Sequence, residues 1–181
     1  MAKSALKGES LEKAALNYLG HYASSAEHLR RVLRRRIARA GVEKEEAEAA
    51  RGAIDGIVAR LVAERLLDDR LYATQLAASL HRRGMSAAQI CFRLAEKGIA
   101  EDDAKAALAS LGTASESELA AACALARRRR LGPYRAPATR ASFRERDLGV
   151  LARAGFSRDV ARRVLDAGDA DELERLAREG A

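Results

Sequence analysis

Three stretches decide the reading of this chain: Ile37-Ala38-Arg39-Ala40-Gly41-Val42, Leu94-Ala95-Glu96-Lys97-Gly98-Ile99 and Leu151-Ala152-Arg153-Ala154-Gly155-Phe156. Each is an apolar residue, an alanine, two further residues, then glycine and another apolar residue. The glycines Gly41, Gly98 and Gly155 recur at intervals of 57 residues. A glycine closing an apolar-periodic run is a common left-handed stop of a helix, because it has no Cβ to clash. Each copy stands where a second helix hands over to a third. A fixed period of this kind marks tandem units, which bury little alone and gain by packing on a neighbour. The expected fold is all-α: three tandem three-helix repeats forming an elongated array, straight or curved. The expected boundaries are 11–67, 68–112 and 113–168, with a flexible N-terminus over 1–10 and an acidic C-terminal tail over 169–181.

Outward from these stops, the helices follow from apolar spacing. Leu11, Ala15, Tyr18 and Leu19 share a face of a first helix over 11–23. Ser24-Ser25-Ala26-Glu27 reads as a capping box, in which serine accepts an orphan amide and the glutamate reaches back. The helix it opens turns Leu29, Val32, Leu33 and Ile37 inward. A long helix over 45–67 buries Ile54, Ile57, Val58, Leu61 and Val62. Asp68 or Asp69 caps the next helix, which Gly84 closes. Ser86-Ala87-Ala88-Gln89 is a second box, followed by the face Ala87, Ile90, Cys91 and Leu94. Helices over 101–111, 118–131 and 139–154 complete the pattern, with Gly132-Pro133-Tyr134-Arg135-Ala136-Pro137 as a rigid turn. Ser157 caps a helix to about 167, and the tail has room for one more short helix.

Composition agrees with helix. Aromatics are only 4% of the 181 residues, and both prolines fall in the rigid turn. Cys91 and Cys123 form no CxxC pair and read as free thiols of a reducing compartment. The start has no continuous apolar core of a signal peptide, and no run of about 18 apolar residues exists to span a membrane. A cytoplasmic location is expected, with no membrane partner. Catalysis has little foothold. His21, His28 and His81 are the only histidines, and no HExxH, P-loop or GxSxG stretch occurs. No enzyme, cofactor or metal is expected. Asp68, Asp69, Asp102 and Asp103 stand at helix starts, where the dipole favours negative charge.

Arginine is the informative residue. The formal net charge is +7 and the pI about 9.8, which attracts polyanions. Arg30, Arg31, Arg34, Arg35, Arg36 and Arg39 crowd one helix, and Arg31, Arg35 and Arg39 repeat every fourth residue as one basic edge. Arg127, Arg128, Arg129 and Arg130 form an uninterrupted run. Residues 124–163 carry twelve arginines against three acids, whereas 166–181 carry six acids against two arginines. Aromatics able to stack on bases are few, and most fall at core-like positions, which speaks against a stacking platform for single strands. Tyr134 is the one expected in solvent.

The order and spacing of several segments resemble the RecX family over about residues 11–167. These are Ala15-Leu16-Asn17-Tyr18-Leu19 followed by Ser24 and Leu29; Leu66-Leu67-Asp68-Asp69-Arg70-Leu71-Tyr72-Ala73; Gly84, Ile90, Leu94 and Lys97-Gly98-Ile99; and Ala124-Leu125-Ala126-Arg127-Arg128-Arg129 with Gly155-Phe156. The chain departs from the family at Gly20-His21-Tyr22-Ala23, where basic residues are usual, and lacks the tryptophan often found after the Tyr72-Ala73 position. The resemblance implies a regulator, mainly an inhibitor, of the RecA recombinase. Such a protein binds the RecA filament on single-stranded DNA and modulates its ATPase, strand exchange and coprotease activities in DNA repair and the SOS response. The implied partners are the RecA filament and single-stranded DNA, with duplex DNA a further candidate, and the chain is expected to act as a monomer. Candidate contacts to recombinase or DNA are Arg31, Arg35, Arg39, Arg82, Arg83, Arg93, Lys97, Arg127, Arg128, Arg129, Arg130, Tyr134 and Arg135. Asp68, Asp69, Gly41, Gly98 and Gly155 are structural. Two other classes stay open: a basic helical DNA-binding protein acting without recombinase, and a helical adaptor for an acidic protein.

Overall fold

The computed structural model describes residues 8–41 and 43–179. Val42 and the first seven residues, named above as an apolar repeat position and a loose start, lie outside them. The described residues form α-helices and one 3-10 turn and contain no strand. They divide into two compact units: the described parts of Met1–Ala73 with Glu96–Ala100, and of Thr74–Ala95 with Glu101–Ala181.

The first unit is built on α1 (Gly8–Leu19), α2 (Ala26–Arg39) and α3 (Lys44–Ala63). Apolar residues at fourth positions put Leu29, Leu33 and Ile37 on one stripe of α2, and all three are buried against Leu11, Ala15, Ile54, Val58 and Leu61. Each such side chain contributes roughly 1.5–3 kcal/mol on leaving water. Helix α1 starts earlier than expected, at Gly8, and ends at Leu19 rather than near residue 23. The capping box resolves differently too. Ser25, not Ser24, is the N-cap, accepting a hydrogen bond from the His28 amide at 3.1 Å. Glu27 does not reach back; it pairs with Arg30, Arg31 and Arg34. Helix α3 stops at Ala63 because Arg65 takes a left-handed backbone at φ 58°, and the Leu66 and Leu67 amides then bond back to the Leu61 carbonyl. Val62 lies off the buried stripe and is 48% exposed.

Helix α4 (Asp69–Arg82) opens in the first unit and continues into the second, which also holds most of α5 (Ala87–Glu96) and α6 (Glu101–Ala109). There follow α7 (Ala114–Arg129), the 3-10 turn Gly132–Tyr134, α8 (Pro137–Arg153), α9 (Arg158–Asp166) and α10 (Ala170–Glu179). Proline at the first position of α8 loses no helical hydrogen bond there. Ser157 caps α9 by accepting from the Val160 amide at 3.2 Å. The core joins Leu119, Ala122 and Leu125 of α7 to Leu151, Phe156 and Val164. The acidic C-terminal segment belongs to this core: Leu173 of α10 is fully buried, with Leu176 and Ala177 packed beside it.

Candidate functional site

The second unit presents a groove of about 470 Å³ between the end of α4, α5 and α7. Its floor includes Gly84, Met85 and Leu125, and its rim carries Phe92, Arg93, Arg128 and Arg129. Phe92 is 63% exposed, unusual for so large an apolar ring. Local sequence explains this. Ile90 and Leu94 are the buried stripe of α5, and Phe92 stands two residues from each, on the opposite side of the helix. Gly84 sets the depth. It has φ +77°, and a Cβ there would lie 2.5 Å from the Leu125 amide nitrogen, so only glycine lets the end of α4 close onto the α7 backbone. Ser86 and Glu118 hold the start of α5: the Ser86 hydroxyl donates to the Ala154 carbonyl at 2.8 Å, and the Ala87 amide donates to Glu118 Oε1 at 2.6 Å.

The four consecutive arginines at the end of α7 do three different things. Arg128 and Arg129 face the groove, and no acidic side chain among the described residues pairs with either. Arg127 lies 3.9 Å from the Glu174 carboxylate of α10. Arg130 is the C-cap, in a left-handed conformation at φ 55°. The basic run therefore acts as one charged patch only in part.

Tyr134 and Arg135, expected as contacts, are held inward. The Tyr134 hydroxyl lies 3.3 Å from Glu174 Oε1, and its phenol is pushed up to about 12 by burial and by the Glu174 charge. Tyr134 is therefore not the exposed stacking ring expected; Tyr22 and Phe92 are the exposed aromatics. Arg135 donates from Nε and Nη2, both at 2.7 Å, to the two oxygens of Asp147, and its guanidinium lies 4.4 Å from the Phe143 ring centroid. Arg82 and Arg83 are exposed at the end of α4.

In the first unit the edge Arg31, Arg35 and Arg39 is split. Arg31 pairs with Glu27 at 3.2 Å and donates to the Glu96 carbonyl at 2.6 Å. Arg35 and Arg39 line a separate groove between α1 and α2. Lys97 is half-buried, and its carbonyl accepts from the Ser25 hydroxyl. Burial, followed by the charges of Lys97, Arg35 and Arg31, lowers the His28 pKa, which favours its neutral ring. Asp68 caps α4 through the Leu71 amide at 2.8 Å, whereas Asp69 accepts from the Ala26 amide of α2 at 2.7 Å. Gly41, Gly98 and Gly155 all have positive φ. His21 and His81 hydrogen-bond to the backbone carbonyls of Asn17 and Ser117. Among the described residues no group of three His, Cys, Asp or Glu side chains could hold a metal, and no helix is long and apolar enough to cross a membrane.

The described residues form an all-helical fold with two arginine-rimmed grooves, each carrying an exposed aromatic ring. The family model described as the second three-helix domain of RecX matches residues 68–108. A protein named Regulatory protein RecX from Myxococcus xanthus (strain DK1622) is 43% identical over 166 residues, covering 88% of this chain and 86% of that protein. Its namesake from Agrobacterium fabrum (strain C58 / ATCC 33970) is 33% identical over 101 residues, covering 56% of this chain and 52% of the relative. A crystal structure of regulatory protein RecX shares the fold with a TM-score of 0.61 at 21% identity, covering 88% of this chain and 72% of that one. The chain belongs to the RecX family of regulatory proteins.

Proposed function

We propose that this protein regulates, mainly by inhibition, the RecA recombinase, binding the RecA–single-stranded-DNA filament and restraining its ATPase, strand exchange and coprotease activities. The repeats at 11–67, 68–112 and 113–168 each offer a face to successive parts of the filament in this reading, and the protein acts in the cytoplasm. The observation that carries it is the groove where exposed Phe92 is flanked by Arg93, Arg128 and Arg129. Such a pairing suits an acidic protein surface. Guanidinium forks bind carboxylates through two parallel hydrogen bonds, and an aromatic ring beside them anchors the centre of an interface as water leaves.

The test is a pulldown of purified recombinase by the immobilised protein, with and without single-stranded DNA and a nucleotide that locks the filament. Capture that increases when the filament forms supports the reading. Capture of neither free recombinase nor filament overturns it, leaving a DNA-binding protein or an adaptor for another acidic protein.

A further inference from the structure

The acidic C-terminal helix α10 sits on α7 and the 3-10 turn mainly by apolar packing. Its inward stripe is Leu173, Leu176 and Ala177, with Leu173 fully buried and the other two partly so. The ends of the helix are satisfied within its own segment. Asp169 accepts from the Glu172 amide at 2.7 Å, the Glu172 carboxylate accepts from the Gly168 amide at 2.7 Å, and Arg178 donates to the Glu174 carbonyl at 3.1 Å. None of these bonds is lost if α10 leaves α7. Its polar ties to α7 and the turn, among the described residues, are all long. The Tyr134 hydroxyl lies 3.3 Å and Arg127 3.9 Å from the Glu174 carboxylate, and the Cys123 thiol lies 3.9 Å from the Leu173 carbonyl. The neighbouring Arg135–Asp147 pair closes through two bonds of 2.7 Å. The seam is also underfilled. A cavity of about 260 Å³ remains between α7, the turn and α10, where Ala120, Ala124 and Ala177 present only methyl groups. A terminal helix with one fully buried anchor and few polar ties opens before the rest of a fold.

We propose that α10 is a displaceable lid, an internal stand-in for an acidic amphipathic helix of a partner protein, and that its release opens the α7 face of Ala120, Cys123, Ala124 and Arg127, with Tyr134, to that helix. The seated segment defines the occupant. The face takes apolar side chains at positions i, i+3 and i+4, with a carboxylate beside them that reaches Arg127 and Tyr134. An extended strand would turn the counterparts of Leu173 and Leu176 to opposite sides. A nucleic acid would use Arg127 and leave the apolar seat of Leu173 empty. Because α10 is tethered through Ala167, Gly168 and Asp169, it competes at an effective concentration on the order of millimolar. Displacement therefore answers to many partner helices presented together rather than to one in dilute solution.

The test uses the full chain without recombinase, so its outcome is separate from filament docking. Cys123 lies beneath α10, only 5% exposed, and burial pushes its thiol up to about 11. Cys91→Ser leaves it the single thiol of the chain, and its labelling by dithiobis-nitrobenzoate then reports opening. In this background the labelling rate is expected to stay flat in low urea, because α10 leaves by itself. A rate that rises with urea as steeply as global unfolding would overturn the lid. Leu173→Ala should speed labelling at least about tenfold by removing the buried anchor. Ala177→Leu, which fills the cavity, should slow it. A fluorescein-labelled peptide of the Asp169–Glu179 sequence is then titrated by anisotropy. It should bind the Leu173→Ala chain at least about tenfold more tightly than the chain with Leu173 and protect Cys123 from label, whereas a scrambled peptide of equal composition should do neither. Equal binding of the two peptides, or equal affinity of the two chains, would overturn the docking face. If Leu173→Ala does not fold, Ala177→Leu decides: it should bind the peptide more weakly than the chain with Ala177, and unchanged binding would overturn the proposal.

Discussion

The Ser86 hydroxyl donates a 2.8 Å hydrogen bond to the Ala154 carbonyl, 68 residues further along the chain. The same oxygen accepts from the Gln89 amide at 3.4 Å, so one side chain caps α5 and ties it to the end of α8. The first unit contains the same joint: Ser25 accepts from His28 and donates to the Lys97 carbonyl. In both joints a carboxylate takes the next free amide, Glu118 from Ala87 and Asp69 from Ala26. In both, the residue after the accepting carbonyl is a positive-φ glycine. A Cβ would meet Glu27 Cβ at 2.5 Å if placed on Gly98, and Ser86 Oγ at 2.7 Å if placed on Gly155.

This joint makes the third member of the glycine pattern a control. Gly41 also has positive φ, but a Cβ there meets nothing within 4 Å. Gly41→Ala should cost roughly 1–2 kcal/mol, the ordinary left-handed penalty. Gly98→Ala and Gly155→Ala should each cost more than about 2 kcal/mol, because steric overlap adds to that penalty. Urea unfolding of the three variants checks this, and equal losses would show that the joints are not tightly packed.

Asp147 is 1% exposed and bound by Arg135 and by the Gly132 amide at 2.9 Å. Burial alone would raise its pKa, but the Arg135 hydrogen bond and charge and the Gly132 amide outweigh it and hold the carboxyl below its ordinary value. A carboxylate whose folded pKa is depressed adds stability above its unfolded pKa, about 3.9, and loses it as pH falls toward the folded value. Asp147→Ala should therefore cost roughly 3–5 kcal/mol at neutral pH by stranding Arg135. The deficit should shrink as the pH is lowered below about 4. Unfolding curves across the acid range check both size and sign.

Arg130 holds a left-handed conformation that glycine adopts without steric cost. Arg130→Gly should raise stability by about 0.5–1 kcal/mol and the Tm by roughly 1–4 °C. A fall in Tm in a thermal melt would mean that the arginine side chain contributes contacts larger than the backbone penalty.

Much of the helical order was legible because apolar spacing and glycine stops are local signals. Leu29, Leu33 and Ile37 could be read from α2 alone. What the sequence did not show depends on partners distant in the chain. Nothing in Arg65 or Arg130 announces a left-handed backbone. Ser24 and Ser25 are equivalent by sequence until Lys97 arrives to accept a hydrogen bond from one of them. Tyr134 looked exposed beside a turn, but α10 brings Glu174 against it. Conversely Tyr22 and Phe92 are exposed, although most of the aromatic rings are expected at core-like positions and only Tyr134 in solvent. The angular position of Phe92, two residues from both Ile90 and Leu94, was the signal that could have placed it outside. The arginine runs were visible, but their division into paired and unpaired members was not, since Glu27, Asp55 and Glu174 are assigned only by folding.

The most direct measurement is inhibition of recombinase ATP hydrolysis on single-stranded DNA by the wild type and by Phe92→Ala/Arg128→Ala/Arg129→Ala, each with helical content verified by circular dichroism. Docking through the Phe92 groove predicts that the triple variant needs at least about tenfold more protein for half-inhibition, the scale of one lost hot-spot anchor. Inhibition at the wild-type concentration by a fully folded triple variant would contradict it.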